Sequence, residues 1–476
     1  MCREGRMDMT RALPPCCVGL LVAASATAQT VAFDEHAIAA PFQVQQALTG
    51  NFADVPSILF VGGEDDATEC AVHALGDEGW SEVHRSVLPD GTVLADSMSI
   101  AGGDRFVIFD GTHFSWLDPA DWRFKRLDIR PESSLYRGKP STVVVSDVGR
   151  DVNGDDADDL VLLDFDGIWI ALQDASGGFH PSNKLPIPPL LRATDNSVSF
   201  TVPPMHAFDY DGDGRGDLAV QQDDQLIIFK DAIPGAEPKS IAIPGGLTDP
   251  SADRPLNDDA PTRTLRDVAD HNGDGIADIT ISTAMGQGPM EAETATLFHF
   301  GRRQDGATVF DEEPTSAVAT GSFGDIQMVD IDGDGREDVV ALAGEFSVGK
   351  IAMAIMTGSI SLDAAIYLLG EEGFDDEAAA TRKMKVGENS PGPTFADVNG
   401  DGRQDMVQVV EDGLEVALGE PSKRLFPRRP QEVELDRPFG DATPIRTDAK
   451  DLNEDGKDDL LLHYGPTTGI LVLLSR

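Results

Sequence analysis

Short apolar runs recur along the chain, each preceded by a knot of Asp, Asn and Gly and followed by a tight polar turn. Leu160-Val161-Leu162-Leu163 is followed by Asp166-Gly167 and then Ile168-Trp169-Ile170-Ala171-Leu172. Met406-Val407-Gln408-Val409-Val410 is followed by Asp412-Gly413 and then Leu414-Glu415-Val416-Ala417-Leu418. Runs this short, joined through Asp-Gly, predict strand, hairpin, strand, because the turn that suits two twisted strands needs residues that accept positive φ. A further β-like stretch, such as Ser240-Ile241-Ala242-Ile243, completes each unit as a four-stranded antiparallel sheet.

The knots themselves repeat. Six segments read Asp, any residue, Asp or Asn, Gly, Asp, Gly, two variable residues, Asp, starting at Asp151, Asp209, Asp270, Asp330, Asp397 and Asp451. Their period is about 60 residues, the length of one supersecondary unit in a repeat fold. Two copies depart from the pattern, with Asp156 at the sixth position of the first and Glu454 at the fourth position of the last. The N-terminal third keeps the rhythm without the acidic segment: one unit holds Ser57–Val61 and Val72–Leu75, another Arg105–Phe109 and Phe114–Leu117. Four-stranded sheets in radial array make an all-β protein, a β-propeller. The count favours eight blades, with seven as the alternative. The last unit stops two strands after its acidic loop, at Leu471–Leu474, so its missing strand is expected from Val31-Ala32-Phe33 near the other end of the chain.

Composition sharpens the picture. The 476 residues carry 83 acidic and 37 basic side chains, a formal charge of −46. That charge repels nucleic acid and anionic membrane surfaces and points to cations or a saline medium. Arg3, Arg6 and Arg11 precede an apolar run from Cys16 to Ala26 and the small-residue site Ala26-Thr27-Ala28. This reads as a secretory signal peptide over 1–28, too short in its apolar part to span a bilayer. The expected domains are therefore the leader, 1–28, and one propeller, 29–476, with degenerate blades to about 140 and acidic-loop blades from about 141 to 476. No transmembrane segment is expected after cleavage, and the protein is expected to be secreted or periplasmic. Cleavage leaves Cys70 as the lone cysteine, so an exported chain without disulfides must be stabilised otherwise.

Calcium is the cation these loops suit. Ca²⁺ takes six to eight oxygens from flexible loops, and side chains at positions 1, 3, 5 and 9 of this spacing can converge on one point. Position 7 is Ala157, Arg215, Ile276, Arg336, Arg403 and Lys457, chemically unrelated residues that would ligate through the backbone carbonyl. Glycines at positions 4 and 6 permit the positive φ of a tight wrapping loop. An EF-hand would need a Glu at position 12 and flanking helices. Position 12 is instead Leu162, Val220, Ile281, Ala341, Gln408 and Leu462, inside expected strands. Mg²⁺ prefers a rigid octahedron and keeps its waters, and zinc would want His or Cys.

On these residues the chain resembles the secreted proteins with FG-GAP or VCBS-type calcium-binding repeats, related to the β-propeller head of integrin α-subunits. The resemblance is clear from about 141 to 476. It implies that each acidic loop joins the first two strands of a blade, with calcium on one rim and partners on the opposite face. Carried over residue by residue, the ligands implied are Asp151, Asn153, Asp155 and Asp159 in the first loop, then Asp209, Asp211, Asp213 and Asp217 in the second. The third would use Asp270, Asn272, Asp274 and Asp278, and the fourth Asp330, Asp332, Asp334 and Asp338. The fifth would use Asp397, Asn399, Asp401 and Asp405, and the sixth Asp451, Asn453, Asp455 and Asp459. Up to six Ca²⁺ ions are expected, in a mainly structural role. At tenfold excess over Kd each adds about 1.4 kcal/mol, so six independent sites add on the order of 8 kcal/mol.

Other chemistry is sparse. Arg215-Gly216-Asp217 spells an adhesion tripeptide, but its Asp belongs to a calcium loop. No zinc spacing, nucleophile elbow, Walker loop or dinucleotide fingerprint occurs. Trp80, Trp116, Trp122 and Trp169 are expected in the core between blades. The polar segments 245–263 and 284–294 are expected as surface loops, and the acidic run 371–377 as a solvated surface. The functional expectation is a binding or adhesion module for an unknown protein or carbohydrate ligand. The alternative is a carbohydrate-active enzyme, polysaccharide lyase-like, on the same propeller, which a cluster of His, Tyr, Arg or Lys on one face or in the channel would favour.

Overall fold

The computed structural model describes residues 30–63, 67–131, 135–136, 143–181, 184–187, 190–193, 198–201, 203–232, 237–248, 261–285, 293–321, 325–343, 359–387 and 390–476. The expected leader, 1–28, lies outside them. Val31–Arg476 forms one compact unit. It is all-β among the described residues, with eight blades of four antiparallel strands in a propeller ring, the second extended by a two-residue strand, Val144–Val145, parallel to its first. Blade 1 takes its strands from Val44–Gly50 to Gly79–Val87, and blade 2 from Leu94–Ile100 to Arg123–Arg126. Blade 3 runs from Gly149–Arg150 to Phe179–Pro181, blade 4 from Met205–Phe208 to Lys239–Ala242, and blade 5 from Thr262–Ala269 to Ser316–Gly321. Blades 6 and 7 run from Asp325–Val329 to Ala380–Gly387 and from Thr394–Ala396 to Gln431–Glu434.

Blade 8 is built from both ends of the unit. Arg446–Lys450, Asp459–His463 and Gly469–Ser475 supply three strands, and Phe33–Ala39 supplies the fourth, antiparallel to the last. The register runs from Phe33 opposite Ser475 to Ala39 opposite Gly469. The eight-blade reading and the expected closure both hold, the strand starting at Phe33, two residues later than Val31.

The second strand of a blade is apolar at successive positions because both of its faces are buried. In blade 3, Leu160 and Leu162 pack toward blade 2 with Val107, Phe109, Phe114 and Trp169, while Val161 and Leu163 pack toward blade 4 with Leu218, Val220 and Phe229. The pattern recurs round the ring, giving eight separate cores among the described residues, one at each blade boundary. The period of two along a strand thus divides neighbouring residues between two cores. Trp169 is buried and Trp116 is partly buried against the same core; Trp122 stacks on His84 at 4.8 Å, and Trp80 is partly buried between blades 8 and 1. Cys70 is fully buried, its thiol pushed up to about 11 by burial.

Three expectations need correction. Strand Thr262–Ala269 begins inside the polar segment 245–263. Strands Asp278–Met285 and Glu293–His299 occupy both ends of 284–294. Hydrogen bonding to the blade 5 ladder overrides the polar composition there, and the middle of each segment lies outside the described residues. In the acidic run, Gly373–Phe374 pairs with Leu369–Gly370, and the Phe374 ring lies 4.7 Å from Phe298 of blade 5. A hairpin at Leu190–Ala193 and Val198–Thr201, and another at Arg302–Gln304 and Ala307–Val309, lie outside the blade sheets.

Removing residues 31–39 would leave the wholly buried strand Gly469–Ser475 with an unpaired edge. The shortened chain is expected to unfold at lower urea and to self-associate on size exclusion, and Ile38→Ala alone to cost about 3 kcal/mol. A monomer with the full-length midpoint would show that the ring does not need this strand.

Candidate metal centres

All six acidic loops connect the first and second strands of blades 3 to 8, so they share one rim, while the Asp-Gly hairpins sit on the other. Each loop is folded by its own side chains. The carboxylate at position 1 caps the turn: in the fifth loop Asp397 Oδ1 accepts from Gly400 N at 2.7 Å and Asp401 N at 3.0 Å, and Oδ2 from Gly402 N at 2.7 Å. The fourth loop repeats this with Asp330 and the amides of Gly333, Asp334 and Gly335. Position 5 accepts from the amide of position 7 in every loop, as Asp401 does from Arg403 and Asp155 from Ala157, both at 3.0 Å. Where position 3 is Asn, its Oδ1 accepts the amide of position 5, as at Asn153, Asn272, Asn399 and Asn453.

Position 9 has a role that its spacing did not reveal. Asp159, Asp217, Asp278, Asp338, Asp405 and Asp459 are all buried. One oxygen of each accepts the amide of position 2, as Asp405 does from Val398. The other accepts the amide just beyond or at the end of the third strand: Gln173, Asp231, Gly301, Leu369, Gly419 or Ser475. This carboxylate pins loop to blade. Burial is the largest influence on it, pushing Asp159, Asp338 and Asp405 up to about 7 and Asp278 and Asp459 up to about 6, and raising Asp217 too. A carboxylate whose charged form is penalised in this way is one that a nearby cation would relieve.

The donor set fits a hard cation. Oxygens of Asp209, Asp211 and Asp213, and of Asp330, Asp332 and Asp338, lie within 4.8 Å of one another. At position 3 of these two loops, Asp211 Oδ1 and Asp332 Oδ1 are buried acceptors without a hydrogen-bond donor. Burial, with the charges of Asp334 and Asp330 adding to it, raises the pKa of Asp332. Oxygen-rich, glycine-hinged loops of this kind suit calcium. The tripeptide Arg215-Gly216-Asp217 cannot present its acid, because Asp217 is 1% exposed and both its oxygens hold the amides of Tyr210 and Asp231.

The two departures from the repeat have separate causes. Positive φ holds at positions 4 and 6 throughout, including Asp156 at 64° and Glu454 at 59°. At position 6 a Cβ meets nothing within 4 Å on Gly214, Gly275, Gly335, Gly402 or Gly456, so only the backbone is strained, and Asp tolerates that conformation. Position 4 abuts the following blade: a Cβ on Gly333 would lie 2.2 Å from the Gly402 carbonyl oxygen. Glu454 escapes this because blade 1, which follows it, has no acidic loop, and its carboxylate instead accepts from Asn51 Nδ2 at 3.2 Å.

Contacts of this kind run round the whole rim, and sequence reasoning missed them because position 8 reads as variable. Gly216 N donates to Asn153 O, Glu337 N to His271 O, Gln404 N to Ile331 O and Asp458 N to Asp397 O, each joining consecutive blades. Between blades 4 and 5 the hairpin residue Thr308 donates to Tyr210 O. Ser99 N donates to Asp158 Oδ2 between blades 2 and 3, and Asn51 N to Asp104 Oδ2 between blades 1 and 2. Asp96, also missed, is buried and bonds the amides of Val148 and Gly149 across the boundary to blade 3. Burial pushes its carboxyl up to about 6.

The sequence model of the FG-GAP-like repeat matches residues 151–220, from the first acidic loop into blade 4, and that segment is an FG-GAP-like repeat. No curated protein sequence matches the chain. Among solved structures, the chain is similar to an Agrocybe aegerita lectin described for recognition of non-reducing terminal N-acetylglucosamine, at 14% identity and a TM-score of 0.40, covering 90% of this chain and 94% of that one. It is also similar to the V. cholerae biofilm matrix protein Bap1, at 12% identity and a TM-score of 0.40, covering 94% and 91%. For Sqt1 from Chaetomium thermophilum the values are 11%, 0.43, 93% and 100%. At these values, what those proteins recognise says nothing about this chain. No helix among the described residues is long and apolar enough to cross a membrane.

Gly333→Ala is expected to cost well over 2 kcal/mol, since backbone strain and a clash with Gly402 act together, whereas Gly335→Ala should cost about 1 kcal/mol from strain alone. Urea unfolding of the two variants checks the difference. Asp405→Ala is expected to cost about 3 kcal/mol even in chelator, because it strands two buried amides. Asp401→Ala should cost little in chelator and lower the unfolding midpoint only when calcium is present.

Proposed function

We propose that this chain, an eight-bladed propeller carrying an FG-GAP-like repeat, is an exported, calcium-stabilised binding or adhesion module. The observation that carries the reading is the sixfold repetition of one loop geometry on a single rim, with each position 9 carboxylate bonded into its blade and acidic oxygens drawn together in the second and fourth loops. Calcium would be held by the oxygens of positions 1, 3, 5 and 9 and the carbonyl of position 7, and would supply charge compensation to the rim. It would do for this chain what disulfides do for other exported proteins, Cys70 being buried and unpaired.

The partner is proposed to bind the opposite face. There, at the boundary of blades 7 and 8, a cavity of about 800 Å³ has Val409, Leu435, Phe439 and Tyr464 among its lining residues, with carboxylates and Arg437 at its edge. A binder is favoured over the alternative enzyme because the arginines and the histidine recorded in ion pairs on this face are engaged with carboxylates. Arg437 pairs with Asp412, and Arg446 and His463 both pair with Asp448. An unidentified protein or carbohydrate remains the class of ligand proposed.

Thermal unfolding of residues 29–476 tests the reading. Millimolar calcium is expected to raise the midpoint by on the order of 10 °C over excess chelator, reversibly and without a match from magnesium. An unchanged midpoint would reduce the loops to ordinary turns and remove calcium from the proposal.

A further inference from the structure

The six loops are not equivalent, and the difference shows in a register that only the fold reveals. The residue whose amide bonds the position 9 carboxylate follows directly on Leu172, Phe300, Leu368, Leu418 or Leu474 in five blades. In blade 4 the same place holds Lys230. Its ammonium pairs with Asp211 Oδ2 and lies 2.9 Å from Asp213 Oδ2, at positions 3 and 5 of the second loop.

Two further cations close on that loop. Arg303 reaches back from the hairpin of blade 5 to within 3.3 Å of Asp209 at position 1. Arg215, at position 7, contacts Asp213 at 3.3 Å and Asp231 at 2.9 Å. Every acidic side chain at positions 1, 3 and 5 of the second loop is thus paired with a protein cation. Among the described ion pairs at positions 1, 3, 5 and 9 of the other loops there is only Arg336 with Asp334, which leaves Asp330, Asp332 and Asp338 converged. The second and fourth loops are also the two with Asp at position 3, so at positions 1, 3, 5 and 9 each carries one more acidic group than the loops with Asn there.

We propose that Lys230 is a built-in competitor for metal, and that the second loop is a self-compensated site which takes calcium about tenfold or more weakly than the other five. The inference rests on the calcium reading of the loops. A divalent ion entering this loop must displace an ammonium group from two carboxylates and then sit near two guanidinium groups, whereas elsewhere it meets at most one guanidinium, that of Arg336 in the fourth loop. Asp211 Oδ1 remains as an open acceptor, so the site is weakened and not abolished. Lys230 is about half exposed and can swing into solvent when displaced, which makes the competition reversible.

Equilibrium dialysis of the full chain against radioactive calcium tests this by counting sites. Five ions are expected to bind together and a sixth only at about tenfold higher free calcium. Lys230→Met should strengthen the sixth site by about tenfold. Asp213→Asn in the unaltered background should leave the tight count at five, while Asp401→Asn should lower it to four. Six equivalent sites in the unaltered protein, with Asp213→Asn removing one of them, would overturn the inference and leave the calcium reading intact. No bound calcium in any variant would instead overturn the calcium reading itself.

Discussion

Every blade of this protein has two apolar faces and no interior of its own. A four-stranded sheet cannot bury both faces alone, so each blade depends on a neighbour at either side, and the eight cores all lie at boundaries. That constraint explains why the second strands read as near-continuous Leu and Val, why aromatic residues such as Phe109, Phe114 and Trp169 gather between sheets, and why the ring has to close. An open array would expose one apolar face at each end. Strand Phe33–Ala39 removes that exposure by tying the start of the described unit to its end.

The rim places the opposite demand on the chain. Carboxylates brought within a few ångströms repel one another, and the protein answers with several devices at once. Position 1 turns its charge onto the loop's own amides, position 9 is sunk into the blade and bonded from two sides, and the second loop recruits Lys230, Arg303 and Arg215. What remains unneutralised is what a divalent ion would hold. Because the amide of position 8 bonds the preceding loop at several boundaries, the loops form a linked belt, and order imposed on one bears on the next.

Much of this was legible in the order of residues. The Asp-Gly hairpins, the acidic repeat and the need for positive φ at positions 4 and 6 follow from local chemistry, which a linear reading can see. The closing strand was legible because the last unit is one strand short. What was hidden depends on neighbours distant in the chain. Lys230 looks like any surface lysine until the strands are aligned, and Glu454 looks like a defect until blade 1 is seen to lack an acidic loop. Asp96 gives no signal, since its partners lie about 50 residues onward in another blade. The strands at Thr262 and Glu293 were misread because polar residues there are carried by ladder hydrogen bonds and not by apolar packing.

The end-to-end strand also sets a clock. Phe33 pairs with Ser475 from more than 400 residues away, so strand Phe33–Ala39 waits through the synthesis of the blades between before it has a partner. Seven blades can assemble stepwise from local contacts as they emerge, but the two boundaries of blade 8 form only once residues 469–475 have emerged. Until then, Ile58 and Phe60 of blade 1 and Val407 and Val416 of blade 7 are sticky surfaces at the two ends of a horseshoe. The same joint that covers both blade faces in the finished ring leaves them open for the longest time on the way there, and a second horseshoe is a ready partner for either one.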